Sequence, residues 1–285
     1  MRPRARQPRR AKRALGAALA AALVSLVLCG AAAGALPAYV LPDLAPQPPV
    51  EVLGPTTGVS FGLGVDAPLL VDGCYPEERV RKGAARCLRF DAIVGNVGKG
   101  PLELAYTFTK NDGISAVQRI YRSDGSYRDR FAVRSELHPT HAHFHVQDFY
   151  LARLWKADAS GRRVGEAPVA RGDKNGFCPE DTAPVGSAPN EGGEGEYRCF
   201  GPEERDGPRG FQVVGVSAGW QDVYPASLPD QFVEITGVPD GQYVLEIELD
   251  PHDVFVEAND SNNAVCVHIA LDGFDAEILA PRVPC

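Results

Sequence analysis

The sequence predicts a mainly β fold class: an antiparallel β-sandwich-like domain with long irregular loops and few helices. Short segments alternate apolar and polar side chains with a period of two, as strands do. No segment keeps the 3.6-residue periodicity of a long helix. The 30 glycines and 24 prolines favour short strands joined by turns. The predicted strands are Leu88–Val97, Leu102–Thr109, His141–Leu151, Gln231–Thr236, Gln242–Leu249 and Ala264–Leu271.

The N-terminal residues 1–35 resemble a signal peptide in their order of basic, apolar and small residues. Residues 2–13 contain seven basic side chains, residues 14–33 are an Ala/Leu/Val run, and Ala33-Gly34-Ala35 fits a cleavage site. We therefore expect a secreted or extracytoplasmic protein. A retained membrane anchor over the apolar run, or lipidation at Cys29, remains an alternative. The Pro-rich residues 36–56 are expected to run extended along the domain formed by residues 57–285.

The charge of the chain argues against nucleic acid as a partner. Without residues 1–35, 22 basic residues face 37 acidic ones, a net charge of −15. Such a surface repels phosphates and attracts cations, among them protonated amines.

Six cysteines remain beyond residue 35, and an even number in an exported protein indicates disulfides. Residues 156–210 are rich in Gly, Pro, Asp and Glu and predict a long loop region, which a Cys178–Cys199 bridge would tether. Sequence order alone leaves other pairings open. The neighbouring pairs are Cys74–Cys87, Cys178–Cys199 and Cys266–Cys285.

Four of the six histidines lie within eight residues, in the segment HPTHAHFH. On a strand, His141, His143 and His145 would share one face. Several imidazoles suit copper or zinc, and spacing does not distinguish these metals. His138 is out of phase and is expected to support the ligands or carry protons.

Several segments resemble the lysyl oxidase family and occur in the family's order. HPTHAHFHVQDFYLARL resembles the family's copper motif, which implies that His141, His143 and His145 bind copper. The resemblance extends over most of residues 40–285 and identifies residues 57–285 as a catalytic domain. The other segments are LPDL (41–44), KNGFCPEDT (174–182), WQDVYPASLPDQFVEIT (220–236) and VFVEANDSNN (254–263).

The resemblance also implies a quinone cofactor built from the protein itself. Family members form a lysyl tyrosylquinone from one lysine and one tyrosine, and the matching positions here are Lys174 and Tyr224. The quinone carbonyl accepts amine substrates. Oxidation also needs a base. Asp222 is the candidate because it lies two residues before Tyr224, and Asp148 is the alternative.

The sequence differs from the animal enzymes at two cysteine positions. Thr140 stands where they carry a cysteine before the histidine triplet, and Asp230 stands where they carry one before the segment QFVEIT. These differences would leave Cys74 and Cys87 to pair with each other.

A calcium site is implied near the C-terminus. Carboxylate and amide oxygens suit calcium, although an Asn-rich hairpin turn would also explain the pattern. The resemblance implies a structural calcium ion bound between the LPDL segment and the later segment. The implied ligands are Asp43, Leu44, Glu257, Asn259, Asn262 and Asn263.

The leading hypothesis is therefore a copper amine oxidase. It would convert a primary amine or a lysine-containing protein, with O2 and water, to an aldehyde, ammonia and hydrogen peroxide. The alternative is a non-catalytic exported β-sandwich that binds metal or a surface partner. Membrane association is expected only if the N-terminal segment is retained.

Overall fold

The computed structural model describes residues 36–57, 72–109, 113–138, 143–172, 174, 176–187, 195–199 and 211–285. The prediction of a mainly β protein is confirmed, because strands dominate these residues and the α-helix among them is the short α1 (Pro76–Lys82). The strands are β1 (Tyr39–Val40), β2 (Leu44–Gln47), β3 (Val52–Leu53), β4 (Cys87–Phe90), β5 (Ala92–Asn96), β6 (Leu102–Thr109), β7 (Gly113–Arg122), β8 (Tyr127–Leu137), β9 (Phe144–Val146), β10 (Tyr150–Ala157), β11 (Arg163–Val164), β12 (Ala170–Arg171), β13 (Ala183–Pro184), β14 (Phe211–Val216), β15 (Trp220–Tyr224), β16 (Phe232–Glu234), β17 (Gly241–Leu249), β18 (Ala264–Asp272) and β19 (Asp275–Val283).

These strands form antiparallel sheets around a shared apolar core. One sheet has the order β14-β6-β7-β8-β9 and another has the order β11-β10-β17-β18-β19. Two smaller sheets, β13-β15-β5-β2 and β16-β4-β3, complete the domain. Buried side chains from all four sheets belong to one hydrophobic cluster, so strands that are distant in the sequence are held together by the core.

Two predicted strands are interrupted by aspartates. The segment 88–97 divides at Asp91 into β4 and β5, which lie in different sheets. The buried Asp91 carboxylate accepts hydrogen bonds from the backbone N–H groups of Glu51 and Ala226. The segment 141–151 divides into β9 and β10, and Asp148 adopts a left-handed φ of 56° in the turn between them.

The sheet edges differ from the prediction. Residues 264–271 were expected to close the sheet, but β18 pairs on its outer side with β19. The long hairpin of β7 and β8 was also missed. Its second strand, YRDRFAVRSEL, is rich in charged residues and therefore lacks a strong apolar signal.

The Pro-rich segment 36–56 is extended and joins the domain through strand pairing. β1 pairs with β7, β2 with β5 and β3 with β4. Residues 37–285 form one compact unit. The expected signal peptide lies outside the described residues. Among the residues that the structure describes, no helix has the length and apolar character needed to cross a membrane.

The three disulfides are those that sequence order favours, so this prediction is confirmed. Cys74–Cys87 joins the start of α1 to β4, and Cys266–Cys285 ties the C-terminus to β18. Cys178–Cys199 closes the loop that follows Lys174.

Candidate active site

Two of the predicted metal ligands converge at the beginning of β9. His145 lies in β9 and is 2% exposed, and His143 lies just before the strand. Their Nε2 atoms are 3.0 Å apart. With metal–nitrogen bonds of about 2 Å, two nitrogens at this separation suit one ion. The rings of His143 and His145 thus approach each other although His143 lies before the strand, and His141 lies outside the described residues.

His138 lies beside this pair. Its ring stacks on His145 with a centroid distance of 4.4 Å, and its backbone N–H donates to the carbonyl of His143. On its other side, Nε2 is 3.6 Å from a carboxylate oxygen of Asp230. These contacts suit the supporting role expected for His138.

Lys174 and Tyr224, fifty positions apart in the sequence, meet in the interior. The Lys174 Nζ atom lies 3.8 Å from the centroid of the Tyr224 ring. Both residues are buried, with exposures of 7% and 3%. The Tyr224 ring is 6.4 Å from the His145 ring, so lysine, tyrosine and imidazole occupy one site.

Backbone contacts fix the loop that carries Lys174. Phe177 exchanges two backbone hydrogen bonds with Val146 of β9, at 2.6 and 3.1 Å. The Tyr224 hydroxyl accepts a hydrogen bond from the Cys178 N–H at 3.2 Å and donates one to the Cys178 carbonyl at 3.3 Å. The loop is thus tied both to the histidine strand and to the tyrosine.

Burial gives Lys174 a lower pKa than an exposed lysine has. Burial lowers the pKa of Lys174 to about 7, against an opposing effect of the Asp222 and Asp230 carboxylates. Burial raises the pKa of Asp222 well above its usual range; nearby Glu180 raises it further, while Lys174 lowers it. Burial thus shifts both residues toward their uncharged forms, and charged and neutral forms of Lys174 coexist near neutral pH.

The two candidate bases have different environments. Asp222 is fully buried on β15, two residues before Tyr224, so both side chains face the same side of the strand. Asp148 is exposed in the turn after β9. Sequence reasoning noted Asp230 only as a departure from the family, yet its carboxylate also acts on Lys174.

The sulfurs near His143 are not metal donors in this structure. A ring nitrogen of His143 and the sulfurs of Cys178 and Cys199 lie within 4.8 Å of one another. These sulfurs form a disulfide, and a metal needs thiolates. The imidazoles are therefore the groups here that could bind a metal.

The expected calcium ligands lie together where β2 meets the segment before β18. Glu257 accepts a hydrogen bond from the Leu44 N–H at 2.6 Å and another from Asn263 at 2.7 Å. Asn262 donates to Asp43 at 2.7 Å. Within the described residues, the buried Oδ1 atoms of Asn262 and Asn263 have no hydrogen-bond partner. Such oxygens suit a calcium ion.

Asn259 has a different role in this cluster. Its side-chain oxygen accepts hydrogen bonds from the N–H and hydroxyl of Ser261 and caps the short 3-10 helix Asp260–Asn262. This contact is local, so it gives the calcium assignment of Asn259 less support than the contacts of the neighbouring residues.

The family model and the similar proteins all point to the same family. The sequence model of the family described as lysyl oxidase matches residues 122–280. A protein-lysine 6-oxidase of Gallus gallus is 31% identical over 141 residues, covering 50% of this chain and 29% of the relative. A lysyl oxidase homolog 3B of Danio rerio is 29% identical over 160 residues, covering 56% of this chain and 17% of the relative. The chain therefore spans less than a third of the length of these relatives.

Proposed function

This chain belongs to the lysyl oxidase family, and from that premise we propose that it is a copper-dependent amine oxidase whose quinone forms from Lys174 and Tyr224. Its reaction would convert a primary amine, O2 and water to an aldehyde, ammonia and hydrogen peroxide. Peptidyl lysine and small amines are both candidate substrates.

The approach of Lys174 to Tyr224 carries this proposal. An amine 3.8 Å from the centre of a tyrosine ring is positioned to bond to that ring once it is oxidised. Because burial holds the pKa of Lys174 near 7, the amine keeps its nucleophilic lone pair at neutral pH. Burial of a charged ammonium group is costly, so a buried lysine is unusual for a residue that serves only in packing.

The histidines fit copper. His143 and His145, together with His141 of the same motif, would hold the ion, and imidazole is a ligand that copper accepts readily. Bound copper and the quinone supply the redox chemistry with O2 and the electrophilic carbonyl for the amine. The protein supplies the rest of the site.

The surrounding residues orient the reacting groups and handle protons. Phe177 covers Lys174, with Nζ 4.7 Å from its ring centroid, and thereby excludes water from the amine. The backbone of Cys178 fixes the Tyr224 hydroxyl. Asp222, with its raised pKa, is the base that takes a proton from the substrate carbon.

The calcium site would have a structural role. Glu257 and Asp43 would hold the ion with the free amide oxygens of Asn262 and Asn263. An ion there would fasten the start of β2 to the segment before β18. We also propose that residues 1–35 direct export of the chain, that residues 36–56 run extended along the domain, and that the catalytic domain comprises residues 57–285.

The test is peptide mapping and quinone staining of copper-loaded protein. One cross-linked peptide pair should contain Lys174 and Tyr224, with one oxygen atom gained and four hydrogen atoms lost in total. The denatured protein should stain in a redox-cycling assay. Tyr224→Phe should abolish both signals while copper still binds. Tyr150→Phe, which also removes a buried hydroxyl, is the matched control.

A second pair of variants tests the metal ligands. His143→Ala should abolish stoichiometric copper binding and peroxide release, and the exposed His252→Ala should change neither. Folded, copper-loaded protein with both Lys174 and Tyr224 unmodified would favour the alternative, a non-catalytic binding module.

A further inference from the structure

Two buried aspartates, Asp222 and Asp230, act on the amine of Lys174. Asp222 and Asp230 are 0% and 3% exposed, and both carboxylates act electrostatically on the Lys174 amine. Only Asp222 lies on the strand of Tyr224. Asp230 approaches from the turn before β16, where its carboxylate is 3.6 Å from His138.

Lys174 and Asp222 have few hydrogen-bond partners in the described part of the chain. Within the described part of the chain, Lys174 Nζ forms no hydrogen bond, either with Asp222 or with any other group. No described side chain forms a hydrogen bond with either oxygen of Asp222, and the backbone of Glu180 is the one hydrogen-bonding group that lowers its pKa. A fully buried carboxylate with no side-chain hydrogen bond is costly, and it therefore indicates a place for a ligand that donates hydrogen bonds.

Formation of the quinone changes the charge of this cluster. A lysine nitrogen bonded to the oxidised ring shares its lone pair with the ring and is no longer basic. Asp222 and Asp230 then lose the only buried lysine among the described residues as their counter-charge. The amine substrate is itself a cation when it arrives from water.

We infer that Asp222 and Asp230 together form the recognition site for the substrate's ammonium group, which takes the electrostatic place that Lys174 held before it joined the ring. This inference rests on the proposed function and adds Asp230 to it as a substrate-binding residue. Asp222 keeps its proposed role as the base that takes a proton from the carbon next to the bound amine nitrogen.

Hydrogen bonds to a buried ion pair fix the backbone position of Asp230. Asp230 adopts a left-handed φ of 67°, and its backbone N–H donates to Glu78 at 2.7 Å. Glu78 is paired with Arg89, and both side chains are completely buried. Arg89 also donates to the carbonyl of Ala226 at 2.7 Å and to that of Leu228. The turn that presents Asp230 is therefore fixed by a buried ion pair.

The first test uses copper-free protein, so it does not depend on oxidase activity. Lys174→Ala removes the amine and leaves the acids, and butylammonium chloride should then raise the Tm with the logarithm of its concentration. Wild-type protein, in which Lys174 occupies the place, should respond much less. Potassium chloride at equal ionic strength is the salt control.

A second substitution in the Lys174→Ala background separates the site from general effects. Adding Asp230→Asn should abolish the butylammonium response. Adding Asp250→Asn should preserve it, because Asp250 is also a buried, left-handed aspartate but accepts hydrogen bonds from Val254 and Phe255 elsewhere. No response in Lys174→Ala, or a response that survives Asp230→Asn, overturns the inference.

Kinetics of the matured enzyme give an independent test if Lys174→Ala does not fold. Asp230→Asn should raise KM for butylamine roughly tenfold, as loss of a charged hydrogen-bond acceptor does, with a smaller effect on kcat. KM for trifluoroethylamine, which is largely uncharged at neutral pH, should change little. Equal changes for both amines overturn the inference. Ammonium binding without any oxidase activity would instead refute the proposed function alone.

Discussion

Glu78→Gln should destabilise the protein by about 3–5 kcal/mol, the cost of removing one member of a buried ion pair. The Arg89 guanidinium donates to both Glu78 oxygens, at 3.1 and 2.8 Å, and both side chains are fully buried. Glutamine keeps the size of the side chain but leaves the guanidinium without its counter-charge. It also weakens the acceptor for the N–H groups of Tyr75 and Asp230.

The exposed ion pair between Arg79 and Asp72 is the matched control for this substitution. These groups are 3.6 Å apart, with side-chain exposures of 34% and 39%. Asp72→Asn should therefore cost less than about 1 kcal/mol. Urea unfolding with the disulfides intact measures both variants. A loss for Glu78→Gln no larger than that for Asp72→Asn would refute the reasoning that burial makes this pair indispensable.

Three further predictions concern the proposed calcium site, the pKa of Lys174 and the Cys178–Cys199 disulfide. Calcium should raise the Tm, and Glu257→Gln should lose most of that rise, as thermal unfolding with and without a chelator will show; an unchanged rise contradicts the calcium assignment. The rate of cross-linking between Lys174 and Tyr224 should increase with pH and level off above about 7, because burial lowers the lysine pKa to that value and only the neutral amine is nucleophilic. Timed peptide mapping measures it, and a rate that is flat on both sides of that pH argues against a free-amine nucleophile. Replacing Cys178 and Cys199 by serine should cost about 3 kcal/mol for a loop of this length and lower the cross-link yield; urea unfolding and peptide mapping test the two effects.

Lys174 and Tyr224 were expected to form the cofactor because the segments around them resemble those of the lysyl oxidase family. Lys174 precedes NGFC and Tyr224 follows QDV, and the structure brings the two within 3.8 Å. The strand of residues 102–109 was likewise predictable from its alternation, and β6 has those bounds. Local pattern thus suffices for a regular strand such as β6, whereas the two site residues were recognised only through resemblance to a family.

Asp230 could not be predicted as part of the site from local pattern. Its position depends on Glu78 and Arg89, which are more than 130 residues away in the sequence. The break at Asp91 was missed for a similar reason, because its carboxylate binds backbone groups of two distant segments. Long-range hydrogen bonds of buried charges leave no periodic trace in the sequence.

The structure also indicates what makes the proposed cofactor possible. Lys174 lies on a loop, which by itself would give its amine many positions and a low chance of reaching the ring. The two hydrogen bonds between Phe177 and Val146 attach that loop to the histidine strand, and Cys178 holds the tyrosine hydroxyl. Contacts within the protein therefore set the amine against the ring, which reduces the entropic cost of their union. Copper would have to supply only oxidation, because the fold already supplies proximity.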